Sequence, residues 1–157
     1  METKSRPRPT PSALEDHLGY WLRRVSNHVS GAFALALAEE GVSVAEWVVL
    51  RLMHDQAPQA QRPLAEATGL TPGALSKILD KLEAKGWATR EAAAEDLRVQ
   101  RCTLTRKGRS LVPRLARLAD RNEARCFDGL SARERATLRA LLLKLVQVHG
   151  LQGAPLT

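Results

Sequence analysis

Thr71, Pro72 and Gly73 stand just ahead of Ser76, Lys77, Asp80 and Lys81, and further along Asp96 and Arg98 form an Asp-x-Arg triplet. The chemistry open to these residues is recognition rather than bond making. Ser76 and Lys77 carry donors that can reach base edges of a duplex, while Lys81 and the free backbone N–H groups at Thr71 to Gly73 can take phosphates. Arg98 can enter a minor groove, with the Asp96 carboxylate orienting it through a charge-assisted hydrogen bond. Taken alone, such a triplet is usually a surface ion pair of little worth, and a charged helix face is usually only solvated. The weight of these residues therefore rests on the elements that carry them.

From Pro63 to Leu82 those elements read as a helix-turn-helix. Ala65 is small where two helices must approach closely, and Gly69 can take the positive φ of the turn between them. Thr71 is suited to the N-cap of the second helix and Pro72 to its first position. Leu75, Ile78, Leu79 and Leu82 fall at i, i+3, i+4 and i+7, which makes one buried face. The opposite face offers Gly73, Ser76, Lys77, Asp80 and Lys81, as suits a helix lying in a major groove. Beyond Gly86, the segments 86–90 and 98–104 read as strands joined by a turn over Glu91 to Leu97, so the whole is a winged helix. The wing mixes Glu91, Glu95 and Asp96 with Arg90, Arg98 and Arg101.

Longer helices flank this centre. Ser12-x-x-Glu15 has the form of a capping box and opens a first helix of about seven turns. Its apolar residues Leu14, Leu18, Trp21, Leu22, Val25, Val29, Phe33 and Leu37 recur at spacings of three and four until Gly41. Ser43-x-x-Glu46 opens a second helix with Trp47, Leu50 and Met53, and Pro58 closes the loop after it. A helix over about 105–127 has Pro113 as a point of bending. Ser131-x-x-Glu134 opens the last helix, striped with Leu138, Leu141, Leu142, Leu145 and Val148. The fold class is mainly α with a small β-wing and about six helices. Apolar stripes on both terminal helices are hard to bury within a chain of this length, so a homodimer through the N- and C-terminal helices is expected; the alternative is that the two helices pack on each other.

The organisation that follows is a flexible basic arm over 1–11, a single domain over 12–150 and a tail over 151–157. Within the domain, the winged helix-turn-helix covers about 43–105 and the dimerisation helices about 12–40 and 106–149. Lys and Arg number 24 against 17 Asp and Glu in 157 residues, a net charge of +7. That excess favours an anionic partner such as nucleic acid, although solubility alone tolerates it. Cys102 and Cys126 make no disulfide framework, and no Cys/His cluster points to a metal; a reducing cytoplasm is the expected compartment. The N-terminus has no apolar signal core, and no apolar run approaches the roughly 20 residues that span a bilayer. No Gly-rich phosphate loop, nucleophile elbow or paired-carboxylate site is present, so neither an enzyme nor a cofactor is implied.

In the blocks Val44-Ala45-Glu46-Trp47-Val48-Val49-Leu50, Pro63-Leu64-Ala65, Leu82-Glu83-Ala84-Lys85-Gly86, Asp96-Leu97-Arg98 and Leu104-Thr105-Arg106-Lys107-Gly108, the sequence resembles the multiple antibiotic resistance regulator (MarR) family of bacterial winged-helix transcription factors. The last three blocks, in that order and spacing, are the specific part. The resemblance covers about 12–150. It implies a homodimer on a double-stranded, pseudo-palindromic DNA operator with one recognition helix per half-site, Arg98 at the wing tip in the minor groove, and Asp96 positioning it. The alanine-rich wing turn departs from the family pattern. So does the absence of the first-helix cysteine that peroxide-sensing members carry, and Cys102 and Cys126 read instead as buried inert thiols.

The resemblance also implies a small aromatic or phenolic anion as effector, bound where the first, second and fifth helices meet. His17, Trp21, Arg24 and His28 in the first helix and Trp47, Arg51 and His54 in the second have suitable chemistry, Trp21 and Trp47 as apolar walls and an Arg or His as the carboxylate partner. A Trp on an apolar stripe is more often core, and a lone His more often a surface residue. The functional expectation is a ligand-responsive repressor. Its competitor is a winged-helix module that binds another protein without sequence-specific DNA binding.

Overall fold

The computed structural model describes residues 11–55, 59–93 and 96–154, and among these gives Gln59, Asp96, Leu97 and Arg98 by backbone alone. All of the basic arm but Pro11 lies outside the described residues, as do Pro58, Glu95 and the end of the tail from Pro155. The elements are α1 (Leu18–Glu39), α2 (Val44–Asp55), β1 (Gln59–Ala60), α3 (Gln61–Thr68), α4 (Pro72–Ala84), β2 (Ala88–Ala93), β3 (Asp96–Leu104), α5 (Arg106–Cys126) and α6 (Ala132–Val148), with one 3-10 turn at Leu14–Asp16. The result is a winged helix between two long terminal helical segments.

Local chemistry accounts for most element boundaries. Ser43 and Glu46 cap α2 reciprocally, the Ser43 N–H donating to Glu46 Oε2 at 2.7 Å and the Glu46 N–H to Ser43 Oγ at 3.2 Å. Ser131 and Glu134 do the same at α6. The Ser12–Glu15 box does not form. Ser12 Oγ bonds His17 Nε2 at 3.0 Å, Asp16 rather than Glu15 accepts the Ala13 N–H, and the α-helix starts only at Leu18. Helix α5 continues through Pro113. That residue is exposed, so the carbonyl left without its N–H partner can turn to water.

The sheet is antiparallel, in the order β1-β3-β2. Both wing strands are longer than expected: β2 reaches Ala93 and β3 begins at Asp96, because Glu91 and Ala92 pair with Arg101 and Gln100 despite the poor strand propensity of alanine. Strand β1 was not foreseen. Gln59 and Ala60 pair with Cys102 and Arg101, two residues being too few to carry a period in the sequence.

One core joins these parts. Leu37 of α1, Val49 and Leu50 of α2, Leu64 of α3, Leu75, Leu79 and Leu82 of α4, and Leu104, Val112 and Leu115 are all buried. Each such side chain contributes roughly 1.5–3 kcal/mol by burial. Helix α6 contributes nothing to this core, since none of its residues is buried.

Candidate nucleic-acid interface

The turn from α3 to α4 is built as its residue types dictate. Gly69 takes φ 71° at the end of α3, a value that costs glycine little and other residues more. Thr68, buried, returns its hydroxyl to the Leu64 carbonyl at 2.8 Å. Thr71 caps α4, its Oγ1 accepting from the Ala74 N–H at 3.2 Å, and Pro72 follows in the first turn. The core takes Leu75, Leu79 and Leu82 completely and Ile78 in part. With that face held, Thr71, Pro72, Gly73, Lys77, Asp80 and Lys81 are exposed and Ser76 is half-buried. Two refinements follow at the helix start: Pro72 has no N–H to offer a phosphate, and the Ala74 N–H is already used by the cap.

Asp96 and Arg98 stand at the start of β3, where Asp96 pairs with Ala93 of β2. Their side chains lie outside the described residues. Arg90, expected among the wing charges, turns away from the wing tip and onto α4. Its backbone N–H donates to Glu83 Oε1 at 2.8 Å and its Nε to Glu83 Oε2 at 2.9 Å. Nη2 meets Glu83 Oε2 and Asp80 Oδ1, each at 2.5 Å, and Nη1 reaches Ser76 Oγ at 3.4 Å. Glu83, and after it Asp80, favours the charged guanidinium further. The cue was present in the sequence as a carboxylate and a cation on either side of the Gly86-Trp87 turn, but only the fold brings them face to face.

A second connection, also unforeseen, ties the far end of α4 to the α1–α2 corner. Lys85 Nζ donates to Glu46 Oε1 at 2.6 Å and to the Gly41 carbonyl at 2.9 Å, and lies 4.8 Å from the Trp87 ring centre. Glu46 is only 4% exposed. Burial pushes its carboxyl upward, but the bonds from Lys85 and Ser43 outweigh that and hold it below the usual carboxylate range.

Between α1, α2, α5 and α6 lies an open apolar cleft of about 960 Å³. Phe33 and Trp47 form part of its wall, edge to face with ring centres 6.2 Å apart. Asn122, whose Nδ2 donates to the Val29 carbonyl at 3.1 Å, also lines it, and Glu123 is the one charged residue in the lining among the described residues. Of His17, Trp21, Arg24, Trp47 and Arg51, only Trp47 lines this cleft. Trp21 is 46% exposed with its Nε1 on the Glu15 carbonyl at 2.8 Å, Arg24 donates to the Tyr20 hydroxyl at 3.3 Å, and Arg51 is paired with Asp55. His28 and His54 are likewise not among the lining residues. Cys102 is buried in β3 with its thiol pushed up to about 11 by desolvation, and Cys126 is half-buried. Among the described residues, no group of three or more His, Cys, Asp or Glu could hold a metal, and no helix is long and apolar enough to cross a membrane.

A capped helix with a cationic outer face, set in a helix-turn-helix and followed by a β-wing, defines a winged-helix protein of the DNA-binding class. The chain belongs to the MarR family of winged-helix transcriptional regulators, a family of regulators rather than enzymes. A MarR family model matches residues 40–98. CouR from Rhodococcus jostii RHA1, solved bound to p-coumaroyl-CoA, is 30% identical, with 86% of this chain and 95% of that one covered at a TM-score of 0.72. A cysteine-to-serine mutant of MarR from E. coli complexed with operator DNA is 26% identical, covering 82% and 93% at a TM-score of 0.74. BpsR of Bordetella bronchiseptica, whose DNA binding is regulated by 6-hydroxynicotinic acid, is also 26% identical, covering 87% and 97% at a TM-score of 0.74.

Proposed function

We propose that this protein is a homodimeric, cytoplasmic repressor that binds a pseudo-palindromic operator through α4 and the wing and is released by a small aromatic ligand. The observation that carries the reading is α4 itself: its apolar face is consumed by the core, and Lys77 and Lys81 stand exposed beyond a capped N-terminus. Ser76 and Lys77 read base edges, Thr71, Gly73 and Lys81 take phosphates, and Arg98, oriented by Asp96, enters the minor groove. Residues 43–105 act as the DNA-binding unit, and 12–40 with 106–149 as the dimerisation helices. The operator-bound relative supports this use of the fold.

The ligand reading draws on the apolar cleft walled by Phe33 and Trp47 and on two relatives whose ligands carry aromatic rings. With Glu123 the one charge in the lining among the described residues, the ring of an aromatic acid would enter the cleft while its carboxylate stays at the mouth. A ligand releases the repressor only by binding its DNA-incompetent form more tightly than its DNA-competent form.

The test is titration of the protein onto the DNA upstream of its own gene and onto an unrelated duplex at two salt concentrations. Tight, salt-dependent preference for one duplex is expected, and Lys81→Ala should weaken both complexes alike and flatten the salt dependence by about one unit. Weak binding without salt dependence or preference would favour the protein-interaction reading instead.

A further inference from the structure

Ser76, Asp80 and Glu83 fall at i, i+4 and i+7 on α4 and so share one stripe of that helix. All three meet the side chain of one residue, Arg90, from the root of the wing. Glu83 is engaged twice over, one carboxylate oxygen on the Arg90 N–H and the other on the guanidinium. The Arg90 side chain is 21% exposed, too enclosed and too fully bonded to serve as a free phosphate ligand. We propose that Arg90 is a positioning residue, which through Glu83 and Asp80 locks the wing to the recognition helix so that both meet the duplex at one fixed angle. This rests on the DNA-binding reading above and adds to it the residue that sets sequence discrimination without touching DNA.

The physical reason is the join itself. Between α4 and β2 the chain passes only through Lys85, Gly86 and Trp87, and Trp87, Ala88 and Leu104 seat the root of the wing in the core. The Arg90 contacts add a side-chain link from β2 to the outer stripe of α4, which that buried anchorage does not reach. The guanidinium presents its donors in a rigid planar fork, so Glu83 and Asp80 are held in one fixed geometry, a plane that an ammonium on a flexible stem does not set. The arrangement also directs Ser76. With its oxygen accepting from Arg90, the hydroxyl proton is left to donate outward, toward acceptors on base edges.

Charge gives the test its sign. If Arg90 worked by attracting phosphate, removing it would weaken all DNA binding, and removing the acid Glu83 would strengthen it. If the link is what matters, Arg90→Ala and Glu83→Ala, opposite in charge, must fail in the same way. The measurement uses the full chain, a duplex selected by the wild-type protein from a randomised pool, and a scrambled duplex of equal length. Each variant should lose about tenfold in the ratio of selected to scrambled affinity, and the double variant should be no worse than either single one. Opposite shifts of the two single variants, or a uniform loss for Arg90→Ala with the salt slope reduced by about one, would overturn the proposal. Arg90→Gln and Glu83→Gln carry the same comparison should an alanine variant fail to fold. A wild-type protein that selects no sequence would instead refute the DNA-binding reading, and this proposal with it.

Discussion

A methyl group added at Gly108 would stand 2.0 Å from the carbonyl oxygen of Trp87, which already accepts the Thr105 N–H at 3.0 Å. Backbone on that side cannot swing away as the end of a side chain can, so either the start of α5 or the Gly86-Trp87 turn must move. Gly108→Ala should therefore cost about 1–3 kcal/mol or more, read as a lowered denaturation midpoint, and an unchanged midpoint would mean that the start of α5 shifts away from Trp87 at no cost. The Leu104-Thr105-Arg106-Lys107-Gly108 block was visible in the sequence; why its last residue is glycine was not, because the contact spans two elements. Cys102 makes a second case. Its desolvated thiol, pushed up to about 11 from an ordinary 9.0, should resist a thiol reagent at neutral pH until the protein is denatured, and reaction in the native protein would contradict its burial. Between those two pH values the unfolded chain loses the proton first, so the native form binds more protons and stability should fall as pH rises across that window.

Among the elements, capped helices and the helix-turn-helix were legible in sequence because their signals are local: Ser43-x-x-Glu46, Ser131-x-x-Glu134, Thr71-Pro72 and the apolar spacing of α4. The Ser12-x-x-Glu15 box failed because His17 and Asp16 offered competing partners within the same turn. What could not be read were the links between elements: Lys85 to Glu46 joins charges far apart in the chain, and Arg90 to Glu83 joins near ones across a turn, where no spacing rule says which cation meets which acid. The Glu46–Lys85 link can be tested by stability. Lys85→Met would strand a buried carboxylate and should cost about 3 kcal/mol, near the low end for a broken buried pair because Lys85 itself is partly exposed. Glu46→Gln added to it should recover part of that loss, because no charge is then left unpaired. The Glu46 carboxyl is held below its ordinary value of 4.5, so its contribution is present above that pH and is lost as pH falls through the lower folded value. The wild type should thus lose more stability on acidification than Glu46→Gln does.

For the molecule as a whole, the distribution of apolar surface decides how many chains are needed. Helix α6 has no buried residue, and Leu141 and Val148 are 56% and 69% exposed. On α1, Leu18 and Leu22 are 87% and 52% exposed. A second copy is the partner that every molecule of this protein has at hand, and joining these two helices across a two-fold axis would cover both stripes at once. Because α6 lends nothing to the core, a charge placed on it tests the interface without attacking the winged helix. Leu141→Glu should convert a dimer to a monomer in sedimentation velocity while the far-ultraviolet circular dichroism of the remaining helices is kept. In the proposed dimer two copies of α4 spaced about 34 Å apart would engage both half-sites of the proposed operator together, so the same variant should bind a selected duplex much more weakly. A dimer that survives Leu141→Glu would place the interface elsewhere, and the stripe on α6 would then require a different occupant.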